Sequence, residues 1–417
     1  MKINQWTIGL AAAGLVTLPS MARADEGEHS HVNTALNSTT LSGYVNSSAH
    51  WNWGTGNGNN PMYSFSSGKG DGFNLDAVNL TLQKPLDEAA WASSYIIDLL
   101  LGPDANSLAT ASSLSPESDF AIKQANVGLR APVGNGLDFK VGVFDTVIGY
   151  EVTHAGNNPN YTRSYGYTLE PTTHTGVLMS YQFCEFFGAS VGVANTFGPA
   201  INQRAFGNDP LEDNNKAESY KTYMVSAAFT VPKDNGFISG STVYAGFING
   251  FNNNAPGSDV DADTDADGAV QTSYYVGATL NTPIEALKVG AAYDYLHVSG
   301  QTLGLGDVPE GRAYAASVYA SYQLAEKLSL HGRGEYFVQS DSWAVPGLPD
   351  KVIAGTATLQ YDLWENVISR LEFRWDHSAG NNGGVAAGDA RAYGEDAAGD
   401  PDRKNNYLIA LNVIYKF

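Results

Sequence analysis

The sequence predicts an all-β chain that closes into a transmembrane antiparallel up-and-down β-barrel of about 16 strands. Three observations carry that expectation: an export signal at the start, no helical membrane span after it, and a two-residue alternation that recurs down to the last residue. In the first, Lys2 gives a positive start, Ile8 to Leu18 is apolar, and Ala22-Arg23-Ala24 fits the small-x-small cleavage rule. Residues 1–24 thus read as a signal peptide and the mature chain as beginning at Asp25. No Cys follows the cleavage point, which argues against a lipoprotein anchor.

Beyond the signal, no window offers the ~18 uninterrupted apolar residues of a spanning helix, and the best stretch, Tyr95 to Leu101, is split by Asp98. Inside hydrocarbon the other arrangement that satisfies every backbone hydrogen bond is a closed barrel. The composition, 45 Gly, 23 Tyr and 17 Phe with 16% charged residues, suits such a barrel but also suits an exported soluble protein, so the pattern must decide. A single cysteine, Cys184, excludes an internal disulfide framework and cannot by itself build a zinc or iron-sulfur site. The net charge of -20 falls to about -22 once Lys2 and Arg23 leave with the signal, a poor surface for nucleic acid.

Alternation is strongest at the end of the chain. Tyr407, Ile409, Leu411, Val413, Tyr415 and Phe417 share one face of a strand, because side chains alternate with period two. This row, ending on an aromatic residue, is similar to the terminal assembly signal of outer-membrane proteins, and implies the barrel-assembly machinery as a partner. Elsewhere charge forces the choice of face. Arg370, Glu372, Arg374 and Asp376 alternate with Ser369, Leu371, Phe373 and Trp375; Arg333 and Glu335 alternate with Tyr336 and Val338; Lys288 and Asp294 alternate with Leu287 and Tyr293. A lipid-facing Arg or Lys at mid-membrane costs ~2 to 4 kcal/mol, so the charged rows are expected to face the lumen. Such an interior needs water.

Pairing each run with the turn after it places strands near 40–53, 72–84, 90–102, 120–131, 137–145, 173–183, 187–197 and 219–231, then 238–250, 270–280, 287–298, 312–322, 328–339, 351–361, 367–377 and 406–417. Residues 25–39 are left as a flexible periplasmic segment ahead of the barrel at 40–417. Short links, such as 132–136 and 362–366, alternate with long ones, such as 54–71 and 378–405, the asymmetry of periplasmic turns and extracellular loops. Aromatic residues gather near strand ends, Phe183, Phe186, Tyr322, Tyr361 and Trp364 toward the turns and Tyr293, Tyr336 and Trp375 toward the loops, as two interfacial girdles. At this strand count side chains no longer fill the interior and an aqueous channel remains.

One stretch, Gly142 to Tyr181, carries a more specific pattern: Gly149-Tyr150-Glu151, then Asn158, Asn160, Tyr161, Arg163 and Ser164, then Pro171, His174, Thr175 and Gly176. It resembles the OmpL-like β-barrel porin family. The motif covers about a tenth of the chain, and the strand rhythm extends the likeness to most of the rest. The resemblance implies an outer-membrane porin of a Gram-negative bacterium and brings no substrate. Residues 146–172 form a loop of about 27 residues, long, aromatic and mixed in charge. It reads either as a constriction folded into the lumen, with Glu151 and Arg163 beside the ion path, or as an extracellular cap in which Arg163 pairs with Glu151 or Glu170.

Three further patterns invite chemistry. Asp259, Asp261, Asp263, Asp265 and Asp267 resemble the start of a calcium loop, but counting from Asp263 the twelfth position is Tyr274 rather than Glu, so the expectation is a solvated acidic loop or a weak Ca2+ site near lipopolysaccharide, with no other cofactor. His297 and Ser299 share a strand face, yet no third group completes a hydrolase site, and no enzyme is expected. His29 and His31 sit among carboxylates in a segment better read as a disordered tail.

The function expected is passive diffusion of small hydrophilic solutes or ions through a water-filled barrel embedded in outer-membrane lipid, with a homotrimer as its assembly. Acidic loops should favour cations at the mouth while the Arg cluster opposes them deeper in. The competing expectation is a structural or adhesive barrel with a plugged lumen.

Overall fold

A computed structural model describes residues 38–59, 61, 69–105, 119–199, 201, 220–251, 270–299, 301–303, 306–308, 310–340, 348–380 and 391–417. The strands in chain order are β1 (Thr40–Asn52), β2 (Gly72–Lys84), β3 (Ser93–Leu101), β4 (Phe120–Ala131), β5 (Leu137–Asp145), β6 (Thr173–Cys184), β7 (Phe187–Ala194), β8 (Thr222–Thr230) and β9 (Thr242–Phe251). They continue as β10 (Val270–Asn281), β11 (Leu287–Val298), β12 (Gln301–Leu303), β13 (Gly306–Val308), β14 (Gly311–Ala325), β15 (Leu328–Gln339), β16 (Lys351–Trp364), β17 (Val367–Ser378) and β18 (Asn405–Lys416). All but β12 and β13 form one closed antiparallel barrel of 16 strands, each hydrogen-bonded to its sequence neighbours and β1 to β18. The short hairpin β12–β13 lies in a connection where alternation predicts no strand.

Closure leaves no edge, which is what hydrocarbon demands. Alternation then sorts the side chains. In β17 Leu371 and Phe373 face outward, while Arg370, Glu372, Arg374 and Asp376 face the lumen and are buried. The terminal row is outward too, with Tyr407, Leu411, Val413, Tyr415 and Phe417 exposed and Ile409 partly so. Girdle residues Phe183, Phe186, Tyr322, Tyr361, Trp364, Tyr293 and Tyr336 are exposed, and Trp375 is half-buried.

Besides register shifts at the β6–β7, β14–β15 and β16–β17 turns, two β-bulges lie within the wall, and each turns an extra polar residue inward. In β2 the pairing with β1 skips Asp76, so that both Asp76 and Ala77 point to the lumen; in β4 the pairing with β3 skips Lys123, and Lys123 and Gln124 both do so.

Candidate pore constriction

Between β5 and β6 the chain leaves the long-loop end of the barrel and turns down into the lumen. Residues 146–172 cross to the opposite wall and hold it at many points. They carry one 3-10 turn, Ala155–Asn157, and one short helix, α1 (Tyr165–Leu169), which Ser164 caps by accepting a hydrogen bond from the Tyr167 amide.

The motif residues are the framework of this loop. Gly149 adopts φ +122, and a Cβ there would meet the Glu170 carboxylate at 2.4 Å. Tyr150 stacks on Tyr319 of β14 with ring centroids 4.0 Å apart, and its hydroxyl occupies the space that a side chain at Gly290 of β11 would fill. Asn158 ties the loop across its waist, accepting from the Val152 amide at 2.8 Å and donating to the Val152 carbonyl at 2.6 Å. Asn160 donates to Thr358 of β16, and the Tyr161 and Thr162 amides donate to Glu372 of β17. Tyr161 extends its hydroxyl to Ser48 of β1 and to Asp76, the bulge residue of β2. Asp76 and Asp104 share the ammonium of Lys69 at 3.1 and 2.6 Å.

At the centre lies a buried chain of alternating charge. Glu151 pairs with Arg333 at 2.8 Å, Arg333 with Glu335 at 2.6 Å, Glu335 with Arg374 at 3.2 Å, and Arg374 with Asp376 at 2.9 Å. Both arginines also donate to loop carbonyls, Arg333 to Thr162 and Arg163, and Arg374 to Arg163. Glu372, Arg374 and Asp376 are 0% exposed, so they meet the loop rather than open water. Arg163 pairs with neither Glu151 nor Glu170. Its guanidinium donates to the carbonyls of Val152, Tyr161 and Thr153, fixing the loop from within. Asp294 is buried against Glu170, a carboxyl facing a carboxyl, and Lys288 is half-buried nearer the turn end of its strand.

Between the loop and the β4–β5 wall lies a small recess with a cavity volume of about 30 Å³, lined among others by Lys123, Asp145, Ile148, Glu151, Thr153, Glu170 and Thr172. Lys123 and Asp145 form an ion pair there. Alternation cannot find Lys123, because the bulge that turns it inward is visible only in the pairing with β3. The one sequence hint is Lys123-Gln124, two polar residues in succession within a strand.

The other patterns divide. His297 binds Glu310 at 2.9 Å, and the Ser299 hydroxyl accepts from the Val270 amide, so the two do not act together. Residues 1–24, His29, His31 and the run from Asp259 to Asp267 lie outside the described residues.

Residues 38–417 match the family described as "Putative beta-barrel porin-2, OmpL-like". The chain belongs to this porin family. No curated protein sequence matches it. Among solved structures the porin is similar to the outer membrane channel DcaP of Acinetobacter baumannii, at 11% identity and TM-score 0.58 over 91% of this chain and 97% of that one. It is also similar to OmpF of Salmonella typhi in complex with daunomycin, at 12% and 0.53 over 91% and 97%, and to a trimer form of OmpT of Vibrio cholerae, at 12% and 0.50 over 91% and 99%. At such identities the likeness is one of fold, and the family supplies the function: this porin is a passive channel of the Gram-negative outer membrane, and family and fold are those of a non-enzymatic channel.

Proposed function

We propose that residues 146–172 constrict the channel and that solutes pass along the recess edged by Lys123, Asp145, Glu151 and Glu170. What carries this reading is the crossing of the lumen by one loop, pinned to the far wall by Arg333, Arg374, Glu372 and Asp376. In this reading those four, with Arg163, Arg370, Glu335 and Asp294, act mainly by holding the loop, and Lys288 faces the water on its inner side. A path edged by both signs suits small hydrophilic solutes and ions. A homotrimer and weak Ca2+ binding by the Asp259 to Asp267 run are parts of the same proposal, read respectively by native mass in detergent and by titration calorimetry.

Conductance tests it. Replacing both arginines (Arg333→Ala with Arg374→Ala) leaves Glu151, Glu335 and Asp376 buried without their partners, at a cost of ~3 to 5 kcal/mol for each broken pair. The loop should let go of the wall, and single-channel conductance in planar bilayers should rise about two-fold or more, by analogy with widening any pore at its narrowest section. Unchanged conductance in a properly inserted variant would take the loop out of the solute path. A wild type that never conducts would instead support the plugged, structural barrel.

A further inference from the structure

The luminal wall on the short-turn side of the loop carries four basic side chains in no salt bridge to a carboxylate: Lys140 of β5, Lys288 of β11, Arg370 of β17 and Lys416 of β18. Each lies no more than four residues from the short-turn end of its strand, and the strand order spreads them around the ring rather than along one side. Lys416 and Arg370 reach up to the underside of the loop, where they donate to neutral acceptors only: Lys416 to the carbonyl of Gly156 at 3.1 Å, and the buried Arg370 to the carbonyls of Ala155 at 3.1 Å and Asn158 at 2.5 Å and to the Gln360 side chain at 3.2 Å. Lys140 and Lys288 have no ion pair or hydrogen bond among the described residues. Carboxylates on the same stretch of wall, among the described residues, are Asp98, held by His154 of the loop at 2.9 Å, Asp138, neutralised by a bidentate pair with Arg130 at 2.6 and 2.7 Å, and Asp362 at the turn itself, where other short turns add Asp87, Glu88, Glu185, Glu285, Glu326 and Glu365 outside the wall.

By sequence, the connections at the opposite end carry a larger acidic excess. The connection between β9 and β10 alone carries Asp259, Asp261, Asp263, Asp265 and Asp267 and no Lys or Arg. Fixed charge on a narrow wall of low dielectric concentrates the opposite ion, so a channel basic at one end and acidic at the other holds anions at the first and cations at the second.

We propose that the inner, periplasmic half of the lumen is an anion-accumulating vestibule ringed by Lys140, Lys288, Arg370 and Lys416, selective for small carboxylates and phosphates and making ion flow through the porin directional. The proposal rests on the channel reading above. It assigns an anion site to the periplasmic mouth, where no motif marks one, and makes selectivity depend on the side from which an ion enters.

The test is a single-channel reversal potential in a potassium chloride gradient, recorded for each channel with the dilute solution first on one side and then on the other, the loop end being located by a biotin label on Asn59→Cys and streptavidin added to one chamber. The wild type should give unequal magnitudes, shifted toward chloride when the short-turn end faces dilute salt, where screening is weakest. Inorganic phosphate added at that end should reduce chloride current at lower concentration than at the loop end. Lys140→Gln with Lys288→Gln should abolish most of the inequality, and Lys140→Arg with Lys288→Arg should keep it. These two residues hold no contact whose loss would unfold the barrel, and a heat-modifiable band confirms insertion. Equal and opposite potentials in the wild type, or an inequality untouched by the glutamine pair, would overturn the vestibule while leaving a conducting porin. A wild type without any conductance would overturn both.

Discussion

Glu170 and Asp294 meet as two carboxyl groups inside the lumen, where burial first, and the neighbouring carboxylate second, push the Glu170 pKa well above its ordinary value. Glu170 lies in the loop, so its protonation bears on how the loop is held. A folded-state pKa above the unfolded one gives a contribution that is fully present below the ordinary carboxylate value and lost as pH rises through the raised value. The loop should therefore be held more firmly in acid than in alkali. Open-channel noise should grow as pH is raised from below the ordinary carboxylate value into the alkaline range, and Glu170→Gln, which keeps the hydrogen bond without the charge, should flatten that dependence. A pH profile identical in the two proteins would remove Glu170 from the anchoring of the loop. None of this pairing is legible locally, because Glu170 and Asp294 stand more than a hundred positions apart. The inward direction of Asp294 is legible, since a charge on an alternating strand has one affordable face.

At the scale of elements, the strands were legible because period two is written into each of them, and several observed limits, such as Phe120–Ala131, Leu137–Asp145, Leu287–Val298 and Leu328–Gln339, coincide with the alternation. Where it failed, the reason was local. Gln301 to Val308 offers no more than Leu303 and Leu305 as an alternating pair, too short to mark two strands, and the bulges at Asp76 and Lys123 come from pairing rather than from composition. The loop motif was legible as a pattern but not as a structure. Asn158 and Ser164 act through backbone groups and Asn160 through the distant Thr358 hydroxyl, contacts that leave no periodic trace. Asn158 illustrates this, since it bonds both polar groups of Val152 and the carbonyl of His154. Asn158→Ala should cost ~1 kcal/mol for each bond lost, loosening the waist without touching the wall. Hydrogen exchange should then accelerate in residues 152–163 while the strands stay protected. Uniform loss of protection, or none, would argue against a waist held by this one side chain.

The whole molecule depends on one seam. Every other strand pair in the barrel is joined by a connection in the chain, whereas β1 and β18 must find each other across the full length of the sequence, and until they do both expose an unpaired edge. Their register runs from Tyr44 opposite Lys416 to Asn52 opposite Leu408, and beyond the strand end Phe417 and Gly43 exchange both backbone hydrogen bonds, at 2.9 and 3.0 Å. The Phe417 ring lies across Gly43, where an added Cβ would stand 2.7 Å from it. The terminal aromatic residue is thus a part of the closing seam as well as the end of the outward row. Deleting Phe417 removes two seam hydrogen bonds and the ring that covers the glycine, at the position where closure has the least support from neighbouring strands. Export should be unaffected, since the deletion leaves residues 1–24 unchanged. The yield of heat-modifiable, inserted barrel at native expression should fall several-fold, and the barrels that do form should convert to the unfolded band at a lower temperature. Phe417→Ala separates the ring from the backbone, because it keeps both seam hydrogen bonds and removes only the ring: a conversion temperature as low as in the deletion would assign the ring to the seam, and a wild-type temperature would deny it.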